Sequence, residues 1–301
     1  MVCLRIAILG AGAIGSLVGA KLVQAGFDVL LHARGEHGAW LAASGLEVSG
    51  IESSETIADQ WTVTLDEIEI GGDFRECCDL AIITGKANDT EVLSHVAKYI
   101  SKGAILTLQN GLGNLEILSS IVGTKRAYAG TTTHAVTRLG PGKIDWRHFG
   151  EIQITSNNPF FDIFKKAELN PQKYDDINSI LWLKLLYNVA INPLSAIIGR
   201  PNGALLNDPF RSECLSIFFE AVQVARFEGI KLPENDELET NLLHLISDTS
   251  ENICSMLQDV KRGKPTEIEM LCGEVVRRGE IHGIPTPKNA LLLTQIKALQ
   301  I

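Results

Sequence analysis

Between Arg5 and Ile154 short apolar runs alternate with stretches of helical periodicity. Residues 5–9 read as a strand, 13–25 as a helix and 28–32 as a second strand. Residues 80–84, 105–109 and 127–130 are further strand candidates, each followed by a polar or glycine-containing turn. Short apolar strands that alternate with helices predict a parallel sheet covered on both faces. Gly140-Pro141-Gly142 marks a turn, and residues 143–154 predict one or two strands added at the sheet edge.

The pattern changes after Asn170. Asn170-Pro171-Gln172 and Asp175-Asp176 form a polar connection, and helical periodicity then runs to the end. Residues 182–198, 209–228, 238–261 and 267–282 are the main helix candidates, with a short one at 288–299. There is no internal repeat and no low-complexity tract. At 301 residues the chain exceeds what one core usually serves. The expected fold class is α/β: an N-terminal Rossmann domain over residues 1–172 and an all-helical domain over 173–301, with a cleft between them.

The first strand runs directly into Gly10-Ala11-Gly12-Ala13-Ile14-Gly15, which opens the first helix. Gly10 permits the tight turn, Gly12 lets backbone approach a pyrophosphate, and Gly15 lets helix and strand pack closely. With Ala13 and Ile14 they place amide groups and the positive end of the helix dipole against phosphate. The end of the second strand selects the cofactor. Where an NAD site usually carries an acid for the ribose hydroxyl, this chain reads Leu31-His32-Ala33-Arg34. The guanidinium fork of Arg34 suits a 2′-phosphate, so NADP(H) is expected over NAD; Glu36 is an off-register acidic alternative. Lys86 and Asn110 follow later strands, on the side of the sheet where ligands of such folds lie. Lys86 suits the cofactor or the substrate carboxylate, with a plain solvent lysine as the alternative, and Asn110-Gly111 is also a common turn dipeptide.

Charge narrows the partners. A net charge of −9 argues against nucleic acid or an anionic membrane surface, so an anionic substrate needs a local cation. The six cysteines lack metal-ligand spacing; Cys77-Cys78 are adjacent, and Cys3, Cys214, Cys254 and Cys272 stand alone. The start enters a strand with no room for a secretory signal, and no run of about 18 uncharged apolar residues appears. The expected location is cytoplasmic. Apolar positions on the C-terminal helices would permit a homodimer.

The helix around residues 182–193 is apolar nearly all round, yet carries Lys184, Asn188 and Asn192 four residues apart. They form one polar row. Burying an unpaired amide costs roughly 2–7 kcal/mol, so the row either joins a hydrogen-bond ladder or faces a wet cleft. In a reductase such an ammonium can protonate the oxygen on which negative charge develops. Farther on, Asn252 and Ser255 are three apart on one expected helix and share a face. Thr266-Glu267-Ile268-Glu269 fits a capping box, with Thr266 as the cap and Glu267 in the first turn.

Taken in order, Gly10–Gly15, Gln109-Asn110-Gly111-Leu112-Gly113, Gly130-Thr131-Thr132-Thr133-His134-Ala135, residues 184–193, Pro201-Asn202-Gly203 and the stretch from Glu251 to Asp259 leading to Thr266-Glu267 resemble ketopantoate reductase (2-dehydropantoate 2-reductase). The resemblance spans essentially the whole chain. It implies NADPH-dependent reduction of 2-dehydropantoate, a small 2-keto acid, on the route to pantothenate and coenzyme A. It places the catalytic lysine on Lys184 and its paired glutamate on Glu267. Substrate-binding positions fall on Asn110, Asn188, Asn192, Asn202, Asn252 and Ser255, and cofactor contacts on Arg34 and Lys86. Gly85 departs from it, since the family more often has a bulkier apolar residue there. Rival readings are a reductase of another 2-keto acid, a β-hydroxyacid dehydrogenase, and a catalytically silent NADPH-binding module. Glu267, Ser255 and the 130–135 segment favour the ketopantoate pattern over the second.

Overall fold

The computed structural model describes residues 4–51, 55–57, 62–65 and 74–300. Cys3 lies outside the described residues; Cys77, Cys78, Cys214, Cys254 and Cys272 are free thiols. Two compact units result, Met1–Asn110 with Asn114–Ile177, and Gly111–Gly113 with Asn178–Ile301.

In the first unit β1 (Arg5–Leu9) leads through α1 (Ala13–Gln24), β2 (Asp28–Ala33) and α2 (Gly35–Ser44) to β3 (Leu46–Gly50), β4 (Glu55–Ile57) and β5 (Thr62–Leu65). Then follow β6 (Leu80–Ile83), α3 (Thr90–Ile100), β7 (Ile105–Thr107), α4 (Asn114–Val122) and β8 (Ala127–Thr132). The unit closes with β9 (Ala135–Gly140), β10 (Lys143–His148), β11 (Ile152–Thr155), α5 (Phe161–Lys166) and β12 (Pro171–Tyr174). The main sheet has the order β12-β11-β8-β7-β6-β1-β2-β5. Its strands from β8 to β5 run parallel, and β11 joins β8 antiparallel. Alternation along β1 feeds two cores. Ile6 and Ile8 pack with Leu17, Val18 and Leu22 of α1, while Ala7 and Leu9 pack with Leu93 and Ala97 of α3 and Leu118 of α4. Strands buried on both faces need apolar residues at both parities, which β1 supplies.

Two expectations are corrected here. Residues 143–154 do not simply extend the sheet edge: β10 belongs to a second sheet of order β4-β3-β10-β9, and only β11 joins the main one. In β10, Ile144 and Trp146 turn inward and Lys143 and Arg147 outward, the pattern of a half-buried strand, and the Gly140–Gly142 turn folds it onto β9. The polar stretch after Asn170 is likewise not merely a connection, since Pro171–Tyr174 forms β12 beside β11. The leading proline needs no donor at the start of an edge strand.

The second unit is helical: most of α6 (Ile177–Ile198), then α7 (Phe210–Phe227), α8 (Asn235–Asp248), α9 (Ser255–Lys261), α10 (Cys272–His282) and α11 (Pro287–Ala298). By length and composition α6 could cross a membrane, but Leu185, Leu186, Val189 and Ala190 lie at the centre of the unit's core. It is the core helix of this unit. Pro193 sits inside it without ending it. The single helix expected over 238–261 is two, α8 and α9, separated by the turn that carries Asn252. The expected capping box does not form either. Thr266 exchanges hydrogen bonds with Gln300, Glu269 pairs with Lys297, and Ile268–Met270 is a short 3₁₀ turn before α10.

Candidate active site

The glycine-rich turn shows why each glycine is needed. Gly10 has φ +99, and a Cβ there would stand 2.4 Å from the Gly85 backbone. A Cβ on Gly15 would stand 2.3 Å from the Gly10 carbonyl and 2.4 Å from Thr84 Oγ1, whereas one on Gly12 would meet nothing within 4 Å. Gly10 and Gly15 are therefore packing requirements, and Gly12 leaves open space where a ligand approaches. α1 starts with no side-chain cap and no acid in its first turn, so its leading amides are left for an anion. These features fit a dinucleotide pyrophosphate. Thr84 Oγ1 donates to the Gly10 carbonyl at 2.8 Å, and Ser16 Oγ donates to the Ala11 carbonyl at 3.2 Å. His37 supports the turn from α2. Its Nδ1 accepts from the Gly142 amide, which leaves Nε2 to donate to Ser16 Oγ at 3.2 Å.

Gly85 explains itself in the same geometry. It passes directly under Gly10, its amide donating to the Leu9 carbonyl at 3.0 Å, and a Cβ would collide with Leu93. The following Lys86 is exposed. Arg34 sits just past β2 as an exposed residue, and its guanidinium lies 3.6 Å from Asp89. Glu36 is exposed in the first turn of α2. Asn110 is half-buried, and its carbonyl accepts from Asn114 Nδ2 at 2.9 Å.

In the second unit α6 presents Lys184, Asn188 and Asn192 in one row. Lys184 and Asn188 are half-buried and Asn192 is buried. Burial pushes the Lys184 ammonium down to about 8, against the opposite pull of the nearby Glu267 carboxylate. Glu267 is half-buried just before the 3₁₀ turn. Asn252 and Ser255 are exposed, but they do not share a helical face as expected. Asn252 lies in the turn ahead of α9 and Ser255 is the first residue of that helix. Asn202 is buried; its Nδ2 donates to Thr249 Oγ1 at 3.1 Å and its amide to the Asn252 carbonyl at 3.0 Å. It thereby braces the turn that carries Asn252. Cys254 ties the same turn to α6. Its thiol lies 3.5 Å from the Asn192 carbonyl and accepts from the Leu257 amide.

Sequence reasoning did not single out Asp89, His37, Thr90, Asn114 or Cys254. Thr90 and Asn114 were findable as polar residues on the buried sides of α3 and α4; Asp89 and His37 act through partners distant in sequence, and Cys254 caps α9 with a thiol, an unusual cap.

A parallel sheet whose glycine-rich turn opens a helix, joined to a helical unit carrying a desolvated lysine with a carboxylate beside it, defines a pyridine-nucleotide oxidoreductase. Residues 6–159 match the family described as "Ketopantoate reductase PanE/ApbA", and residues 176–300 match "Ketopantoate reductase PanE/ApbA C terminal". The chain is 32% identical to the 2-dehydropantoate 2-reductase of Archaeoglobus fulgidus, over 98% of both chains. It is similar to the crystal structure of a ketopantoate reductase from Ralstonia eutropha JMP134, with TM-score 0.88 and 30% identity over 99% of this chain and 98% of that one. D-mandelate dehydrogenase with NADH and anilino(oxo)acetate is similar at TM-score 0.90 and 25% identity, again over 99% and 98%. The chain belongs to the ketopantoate reductase family.

Proposed function

We propose that this protein reduces 2-dehydropantoate to pantoate with NADPH, on the route to pantothenate and coenzyme A. The observation that carries the reading is Lys184, an ammonium in the middle of a core helix, lowered to about 8 by burial and held charged by Glu267. A general acid is most effective when its pKa lies near the working pH. When bound, NADPH would supply a hydride for C2 of the keto acid. Lys184 Nζ gives its proton to the former carbonyl oxygen, so negative charge never accumulates there. Glu267 keeps the lysine protonated before the step and orients it or a substrate hydroxyl. The α1 amides with Gly10, Gly12, Ala13, Ile14 and Gly15 hold the pyrophosphate, and Arg34 and Lys86 provide positive charge for the rest of the cofactor. Asn110, Asn188, Asn252 and Ser255 offer polar groups to the substrate. Asn192 and Asn202 are more buried, and their support goes to the geometry of the others.

Arg34 in place of an acid at the end of β2 supports NADP(H) over NAD(H). Likeness to a dehydrogenase described with NADH keeps a second reading in view: the same chemistry on another 2-keto acid. An NADPH-oxidation assay with 2-dehydropantoate against a panel of branched and aromatic 2-keto acids tests both. The proposal expects the highest kcat/KM with 2-dehydropantoate and NADPH, and a higher value with any aromatic keto acid or with NADH overturns it.

A further inference from the structure

Among the buried polar side chains outside the roles above, Thr90, Thr107, Gln109 and Asn114, each 5% exposed or less, are joined by hydrogen bonds. Buried amides and hydroxyls are tolerated only when hydrogen-bonded, so what they bond to shows what they hold. Gln109 Nε2 donates to the carbonyls of both Gly85 and Lys86, at 3.1 and 2.9 Å. That contact fixes which end of its amide is nitrogen. Gln109 Oε1 then accepts from Thr107 Oγ1 at 3.0 Å, and the Gln109 backbone amide donates back to Thr107 Oγ1 at 3.3 Å. Thr90 Oγ1 lies 2.6 Å from the Ala87 carbonyl, 2.8 Å from Asn114 Oδ1 and 3.1 Å from Gln109 Oε1, with one proton to give. Asn114 Nδ2 donates to the Asn110 carbonyl. A single buried network thus grips the backbone on either side of Lys86 and the backbone of Asn110.

We infer that Gln109 is a positioning residue, which sets the Lys86 loop against the Asn110 loop and so tunes dinucleotide affinity without touching the ligand. The inference rests on the reading of Lys86 as a cofactor contact. A side chain serving only the core would bond within its own element. Gln109 instead spends both amide protons on the two peptide carbonyls that precede and follow the exposed lysine's Cα.

The test is NADP⁺ binding by titration calorimetry on the full chain, with Lys86→Ala, Gln109→Met and Gln109→Glu. Gln109→Met keeps the volume but removes both donors, and an affinity loss of about tenfold is expected. In steady state KM for NADPH rises by a similar factor while kcat stays within about threefold. Gln109→Glu sets a carboxylate against two carbonyl oxygens, where burial raises its pKa. Its neighbouring side chains Thr90 and Thr107 do not titrate in this range. The charged groups on the loop and on the first turn of α3 are Lys86, Asp89 and Glu91. Relative to the parent at each pH, the Glu variant should bind weakly near pH 8 and recover severalfold near pH 6, when its carboxyl can donate. A role confined to packing would give no such recovery. Should the Glu variant fail to fold, the Met variant and its KM-against-kcat split decide the matter. If Lys86→Ala weakens binding and the Gln109 variants that fold bind within twofold of the parent at every pH, the positioning role is overturned. If Lys86→Ala binds like the parent, the cofactor reading of that loop falls, and this inference with it.

Discussion

Glu267→Gln isolates the electrostatic half of the proposed acid. Two forces act on Lys184, burial lowering its pKa and Glu267 raising it, with the balance at about 8. Removing the carboxylate leaves burial unopposed. A neighbouring unit charge at an effective dielectric of ~20, discounted for the partial exposure of both groups, is worth about 1.4 kcal/mol, or about one pK unit. The parent lysine is then roughly 90% protonated at pH 7 and half protonated at pH 8, whereas the variant is about half and about one-tenth protonated. Only the protonated form can act as general acid, so activity falls as pH rises through the pKa. The single-turnover rate of NADPH oxidation, which product release cannot mask, is measured from about pH 6 to 9 with saturating 2-dehydropantoate. The variant should match the parent near pH 6, run at about half its rate at pH 7 and about one-fifth at pH 8. Its falling limb moves down by about one unit, while Glu267→Asp largely preserves the parent's limb. A falling limb that stays at the parent's pH, or moves up, refutes the reasoning.

Lys184→Ala should lower kcat by about 10²-fold or more and leave NADPH binding, followed by calorimetry, within about threefold; near-normal turnover removes the lysine from the mechanism. Arg34→Asp should raise KM for NADPH far more than for NADH, since it replaces the 2′-phosphate partner with a repelling charge, and equal effects on both would dismiss the cofactor assignment. Gly15→Ala drives a Cβ to 2.3 Å from the Gly10 carbonyl, a backbone atom that cannot step aside cheaply. That should cost about 1–3 kcal/mol, lower Tm by roughly 3–8 °C and weaken dinucleotide binding, whereas Gly12→Ala, facing open space, should lose affinity with little change in Tm.

Local geometry written in closely spaced residues was legible, and geometry assembled by tertiary contact was not. The turn from Gly10 to Gly15 carries part of its own geometry, because Gly15 meets the Gly10 carbonyl within one strand–helix step, whereas Gly10 is required by the distant Gly85 backbone and Gly12 faces open space. Lys184, Asn188 and Asn192 were legible for a related reason: a spacing of four is fixed by the helix itself. The reading failed where a distant partner decided the local outcome. Periodicity joined 238–261 into one helix because the intervening Thr249-Ser250-Glu251-Asn252 holds no proline or glycine to stop it. Asn202, nearly fifty residues earlier, makes the break by binding Thr249 and the Asn252 carbonyl. The new helix then starts on a thiol, Cys254, rather than on the serine, threonine or acid that marks most helix starts. At Thr266 the local pattern was complete, but Gln300 claims the hydroxyl and Lys297 the Glu269 carboxylate. Both losses fall on the segments that flank Lys184's proposed partners. A helix continuing through Asn252 would have fixed that side chain to one helical face. A turn braced from outside instead lets its side chain be set independently of Ser255, so substrate contacts can change at this turn while α6 keeps its lysine in place.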